Sequence, residues 1–278
     1  MTGSPASDLG PAPGSAPGSA PGSAPGSAID GRRVRWLIVA MLSAATLLRL
    51  PLLGQSVWFD EACMSDQRIG TWPQLVATLY VDIHPPLFVT FMHVWNRLFG
   101  DGEIALRLPA LLAGLACIPL VFWTGRRLVG DAAALWAALL LTLSPAHVWY
   151  SVEARLYTPM VLCTLLAFGA FDRLLDDREG RRRGLFWLHT ANVGVMLALH
   201  YYLGVVVVAL AALAPLAARG FTRPATRILL WHGIGVLLLA GFVLAKRALG
   251  EFETGQDYLR ALDGPELFRF LFDWCWTG

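Results

Sequence analysis

The residues best suited to chemistry are the acidic, histidine and arginine side chains that interrupt an otherwise apolar sequence. Trp58-Phe59-Asp60-Glu61 sets two adjacent carboxylates directly after two large aromatics. Carboxylates crowded beside an apolar interface repel one another and lose hydration, which raises at least one pKa and suits acid–base work. A second polar stretch, Asp82-Ile83-His84-Pro85-Pro86, is followed by Glu103 and Arg107. A third runs from Ser144-Pro145-Ala146-His147 through Tyr150-Ser151 to Glu153-Ala154-Arg155-Leu156-Tyr157. His200-Tyr201-Tyr202 adds an imidazole beside two phenols, which also reads as an interfacial aromatic belt. Arg49, Arg107 and Arg155 border apolar runs, where a charge at bilayer depth costs roughly 2.5–3.5 kcal/mol. Such residues either serve a site or snorkel to the headgroups. Asp66 and Arg97 read as headgroup anchors, and His93 and His147 as polar edges of helices.

The elements that position these groups follow from composition. The 278 residues are 56% hydrophobic and only 15% charged, with a mean hydropathy of +0.54. Soluble domains carry about a quarter charged residues, so an all-α polytopic membrane protein is the expected class. A spanning helix needs about 20 mostly apolar residues. Candidate spans cover about residues 36–53, 104–124, 132–149, 158–172, 185–201, 202–218 and 228–245. Arg32, Arg33, Arg35, Arg126, Arg127, Arg173, Arg178, Arg181, Arg182, Arg183, Arg219, Arg223 and Arg227 fall between alternate spans. Excess Lys and Arg marks cytoplasmic loops. These arginines therefore predict about seven spans, a cytoplasmic N-terminus and a multi-pass protein of the cell membrane. A long first outer loop, residues 54–103, follows from the same count. Its apolar segment Pro86–Phe99 is about 14 residues, too short to span comfortably. It reads as an interfacial or re-entrant helix with His93, Asn96 and Arg97 on a polar edge. Thr71–Tyr80, with Thr71 as N-cap and Pro73 in the first turn, predicts a second such helix.

Three regions result: a tail at 1–31, a transmembrane module at 32–249 and an outer segment at 250–278. The tail repeats Ala-Pro-Gly-Ser, which buries too little apolar surface to offset chain entropy and predicts disorder. The basic residues form no nucleic-acid patch. Cys63, Cys117, Cys163 and Cys275 form no CxxC, and neither metal nor cofactor is expected. Cys63 and Cys275 both fall on the outer side, where a disulfide between them is left open.

The blocks Arg49…Trp58-Phe59-Asp60-Glu61, His84-Pro85-Pro86-Leu87 and Phe99-Gly100…Glu103…Arg107-Leu108-Pro109 resemble the GT-C superfamily of membrane glycosyltransferases. So do Gly125-Arg126-Arg127-Leu128…Gly130 and Leu143-Ser144-Pro145…Glu153-Ala154-Arg155-Leu156-Tyr157. The nearest branch is that of protein O-mannosyltransferases and lipid A aminoarabinose transferase, with its family 39-like bacterial members. The resemblance runs over about residues 36–175 and implies a seven-span core module with a long first outer loop. It also implies inverting transfer of a sugar from a polyprenyl-phosphate donor to an acceptor hydroxyl on the extracytoplasmic face. The acceptor would be a protein, lipid or glycan, with membrane lipids around the module.

In that scheme Asp60 matches the first-loop general base, and Glu61 orients the acceptor or tunes Asp60. Arg49, His84, Arg107 and Arg155 would face the donor phosphate, with Glu153, Tyr157, His200 and Tyr201 lining the substrate site. Tyr157 stands where several relatives carry Asp, which argues against a metal. Relatives usually continue beyond the last span, so the chain also reads as a truncated form. A flippase for a lipid-linked substrate and a non-catalytic assembly subunit are the competing readings. Neither a GxSxG-like nucleophile nor HExxH supports an intramembrane protease.

Overall fold

The structure, a computed structural model, describes residues 29–58, 61, 70–81 and 84–248. The 1–28 part of the tail, Asp60, Asp82, the Cys63–Cys275 pair and the 250–278 segment lie outside the described residues. All regular structure among those described is helical. The helices are α1 (Gly31–Arg49), α2 (Trp72–Val81), α3 (Leu87–Phe99), α4 (Glu103–Leu143) and α5 (Pro145–Tyr150). After them come α6 (Tyr157–Leu175), α7 (Arg183–Leu199), α8 (Leu203–Ala217) and α9 (Arg223–Ala248). Helices α1, α4, α6 and α9 are each long and apolar enough to cross a membrane, and α8 is a shorter apolar helix. The protein is therefore an all-α membrane protein, and each of the seven apolar stretches read from the sequence coincides with helix.

Helix α4 is two antiparallel pieces. Gly130 has φ 82° and ψ 168°, a left-handed backbone that glycine adopts without a Cβ clash. Beyond it the chain doubles back, so a Cβ added at Gly125 would meet Ala134 at 3.4 Å. Nine residues of straight helix would instead separate the two by about 13.5 Å. This break reconciles a 41-residue helix with two separate predicted spans. Both pieces pack on α1, where Met41 and Ala45 meet Ile118, Phe122, Ala134 and Ala138.

The larger core joins α2 and α3 to α6, α7, α8 and α9 through Phe88, Met92, Phe171, Met196, Val207 and Ile228. The outward faces are also apolar: Leu188, Leu216, Leu237 and Leu238 are at least 70% exposed. Apolar side chains on both faces suit helices whose surroundings are hydrocarbon.

The two expected loop helices form. Gln74 Oε1 accepts from the Thr71 amide at 2.7 Å and from its hydroxyl at 3.0 Å, the glutamine half of a capping box at the start of α2. Helix α3 stops at Gly100, whose amide donates to the Asn96 carbonyl and whose φ is 85°.

The two ends of the bundle differ. Close links join the end of α1, the starts of α4 and α6 and the end of α7 at one of them. The other end collects the start of α1, the α4 break, residues 172–183 and residues 219–227. The segments carrying the thirteen arginines listed above meet there.

Candidate functional site

The site end is assembled around one buried ion pair. Arg107, in the first turns of α4, donates from Nε to Glu61 Oε1 at 3.1 Å and from Nη2 to Oε2 at 2.6 Å. Its remaining donors reach the carbonyls of Leu53 (2.9 Å), Gln55 (2.5 Å) and Ser56 (3.3 Å). A guanidinium has five N–H donors, and all five are engaged here. Glu61 additionally accepts the Ala154 amide at 2.6 Å and the Trp58 amide at 3.4 Å. Its side chain is fully buried. Burial alone would raise its pKa; the Arg107 hydrogen bonds, the Ala154 amide, the Arg107 charge and the Trp58 amide together hold it below the ordinary value. Glu61 is thus an anion, and the paired-carboxylate expectation of a raised pKa does not apply to it.

This changes two roles expected from the sequence. Glu61 fastens the first loop to α4 and to the stretch before α6, a structural task beside the expected one of orienting the acceptor or tuning Asp60. Arg107 has no donor left for a phosphate. Arg49 departs in the same direction: it is fully buried. It donates to the Ala45 carbonyl and to His147 Nδ1, each at 3.0 Å. Because Arg can only donate, His147 Nδ1 accepts and the proton resides on Nε2. Arg49 therefore pins α1 to α5. His147, read from sequence as a polar helix edge, is its partner, and the Ser144 cap and Pro145 at the start of α5 place it there.

A second group gathers around His84 and His200. The His84 and His200 rings meet edge to face with centroids 5.5 Å apart. His200 is pushed down to about 4 by burial, then by the neighbouring His84 and Arg155 charges. Helix α7 ends at Leu199, so His200 lies in the turn before α8 and not within a span. Its Nδ1 accepts the Tyr202 amide at 3.2 Å, which leaves the neutral ring a donor at Nε2. Arg155 lies 5.8 Å over the Tyr157 ring, and Tyr157 packs against Tyr150 at 4.6 Å. Tyr201 contacts the His200 ring at 6.4 Å, and Glu153 is buried just before Ala154.

His84, Arg155, Tyr157, His200 and Tyr201 are therefore gathered, while Arg49, Glu61 and Arg107 form the frame beneath them. The two groups touch at consecutive residues, since Ala154 is held by Glu61 and Arg155 faces His200. Close packing of this loop on α4 needs Gly114: any Cβ there would collide with Ser151. Thr158 adds a hydrogen bond to the Ala110 carbonyl at 2.7 Å. Lys246, 93% buried, donates to the Leu79 carbonyl at 3.1 Å and ties α9 to α2. No His, Cys, Asp and Glu grouping suited to a metal occurs among the described residues.

An apolar groove of about 450 Å³ adjoins the polar cluster, lined by Leu87, Phe91, Trp95, Pro109, Pro159 and Leu199. Leu87 follows His84 by three residues, Pro159 follows Tyr157 by two, and Leu199 immediately precedes His200. Cationic and imidazole donors at the mouth of an apolar groove suit an amphipathic anion.

A bundle of apolar helices with this one-ended polar cluster defines a membrane-embedded protein whose polar residues gather at one end. Residues 83–245 match the family of dolichyl-phosphate-mannose-protein mannosyltransferases. The chain belongs to that family of membrane glycosyltransferases. The matched range includes His84, Arg107, Arg155, Tyr157 and His200; Arg49, Asp60 and Glu61 precede it. No curated protein and no solved structure matches the chain.

Proposed function

We propose that the protein transfers a sugar from a polyprenyl-phosphate donor to an acceptor hydroxyl on the extracytoplasmic face, inverting the anomeric carbon. The observation that carries this reading is the gathering of His84, Arg155 and His200, with Leu87, Pro159 and Leu199, close to them or to Tyr157 in sequence, lining an apolar groove. Arg155 supplies the fixed positive charge for the donor phosphate, and the neutral His200 ring donates from Nε2. The prenyl chain would lie along Leu87, Phe91, Trp95 and Leu199, burying its apolar surface as the phosphate meets the donors. Charge builds on the departing phosphate as the glycosidic bond breaks, so preset donors there lower the barrier. Asp60, next in sequence to the anchored Glu61, is assigned as the base that takes the acceptor proton. Attack by the resulting alkoxide-like oxygen opposite the leaving phosphate inverts the centre. The positive-inside rule supports the sidedness, because the arginine-bearing segments meet at the end opposite the His84–His200 cluster.

The test is transfer in vitro from a panel of polyprenyl-phosphate sugars. Asp60→Asn is expected to lower kcat about 100- to 10,000-fold, the usual worth of a general base, while still inserting. Equal turnover would remove Asp60 from the mechanism. Arg155→Gln is expected to weaken donor use, and movement of the lipid substrate across proteoliposomes without any transfer would favour the flippase reading.

A further inference from the structure

The opposite end of the bundle contains an open cavity of about 570 Å³, set between the starts of α7 and α9. Arg183, Arg223 and Arg227 line it, together with Gly180, Thr226 and Phe221. The one carboxylate at its wall, Glu179, is already paired with Arg181. None of the three lining arginines has an acidic partner among the described residues. The three guanidinium groups thus share one concavity without an ion-pair partner, and an anion entering it would meet convergent positive potential.

The local backbone keeps the cavity open and aims it. Asp177 accepts the amides of Arg181 at 3.0 Å and Arg182 at 2.7 Å, fixing the turn before α7. Gly180 closes that turn at φ +68°, and a Cβ there would sit 3.6 Å from an Arg227 guanidinium nitrogen. Arg227 is steadied from the other side by the Phe186 ring, 5.7 Å away. The first amides of α7 lack intrahelical acceptors and add partial positive charge at the same spot.

What surrounds the cavity selects among anions. Phe221 on its wall is 76% exposed, and Trp187 and Leu188, four and five residues after Arg183 on α7, are 54% and 70% exposed. Trp187 meets Trp231 of α9 edge to face at 5.4 Å, so an aromatic strip leads from the cavity along the α7–α9 surface. A soluble anion gains nothing from that strip, whereas acyl chains do. We propose that this cavity is a binding site for the phosphate headgroup of an anionic membrane phospholipid, with its acyl chains along Phe221, Trp187 and Leu188. It is separate from the candidate transfer site and independent of that site's chemistry.

The experiment uses the full-length chain, delipidated in neutral detergent and titrated with phosphatidylglycerol, with phosphatidylcholine and with inorganic phosphate. Binding is read by native mass spectrometry and by the thermal midpoint. The expected result is a preference for phosphatidylglycerol over phosphatidylcholine that falls tenfold or more in Arg183→Gln/Arg223→Gln/Arg227→Gln, given the worth of each basic residue near an anionic lipid. The variant Arg32→Gln/Arg33→Gln/Arg35→Gln removes equal charge from the same end, away from the cavity, and should keep the preference. Circular dichroism checks folding; if the triple cavity variant does not fold, Arg223→Gln alone should weaken phosphatidylglycerol severalfold. An unchanged preference in the cavity variants overturns the proposal. Equal loss in both triple variants also overturns it, reducing the effect to diffuse charge. Full stabilisation by inorganic phosphate alone would assign the cavity to a free phosphate instead of a lipid.

Discussion

The two ends of the bundle hold their charges in opposite ways. At the arginine-rich end, Arg127 bridges Asp172 at 2.7 Å and also Asp176, with 37% of the arginine side chain and 24% and 64% of the acids exposed. Arg173 lies flat on Trp123, 3.4 Å from its ring centroid. At the site end, Arg107 and Glu61 are 5% and 0% exposed, and every guanidinium donor has an acceptor. Water shares the first set of charges; the protein alone satisfies the second. Charges of the first kind are interchangeable, whereas the second kind specify one arrangement of three chain segments.

That contrast can be broken most forcefully at Arg107. Arg107→Ala leaves Glu61 as a buried anion without its counter-charge and frees three carbonyls, so a loss of about 3–5 kcal/mol is expected. Thermal unfolding in detergent measures it, and a midpoint like that of the wild type would show the pair to be dispensable. Gly114→Val is expected to cost about 1–3 kcal/mol by forcing the Ser151 loop off α4, with transfer activity falling alongside stability.

A smaller effect should appear on acidification. Folding lowers the His200 pKa from 6.5 to about 4, so the unfolded chain takes up the proton first. Stability from this group is complete above about pH 6.5 and declines as pH falls toward 4. Replacing His200 with Gln should flatten the midpoint-versus-pH curve in that window; an unaltered curve would locate the acid sensitivity elsewhere. Glu61 adds a loss at lower pH, as its carboxylate is protonated below the ordinary glutamate range. The smallest change is expected from Arg127→Ala, within about 1 kcal/mol, because its partners are exposed and solvent-screened. A loss comparable to that of Arg107→Ala would erase the distinction between the two ends.

Much of the helical scaffold was readable from local signals. The Thr71 cap, the glycine after Phe99 and the apolar stretches between arginine clusters each depend on neighbouring residues, and α2, α3 and the longer helices follow. The Arg126–Gly130 turn divided α4 for the same reason. The gathering of His84, Arg155, Tyr157 and His200 was anticipated only through resemblance to a family, since nothing local connects positions over a hundred residues apart. What sequence could not supply was the division of labour among the arginines. Arg49, Arg107 and Arg155 look alike at the edges of apolar runs. Only tertiary contacts reveal that His147 captures the first and Glu61 with three carbonyls saturates the second. Glu61, likewise, is indistinguishable by pattern from its neighbour Asp60.

The hydrogen bond from the Ala154 amide to Glu61 sits one peptide away from Arg155. Loosening residue 61 would therefore let residue 155 drift, although the two side chains perform unrelated tasks. A lesion in the first loop should then masquerade as a donor-affinity defect, raising the apparent KM for the lipid-linked sugar from a position that never contacts it.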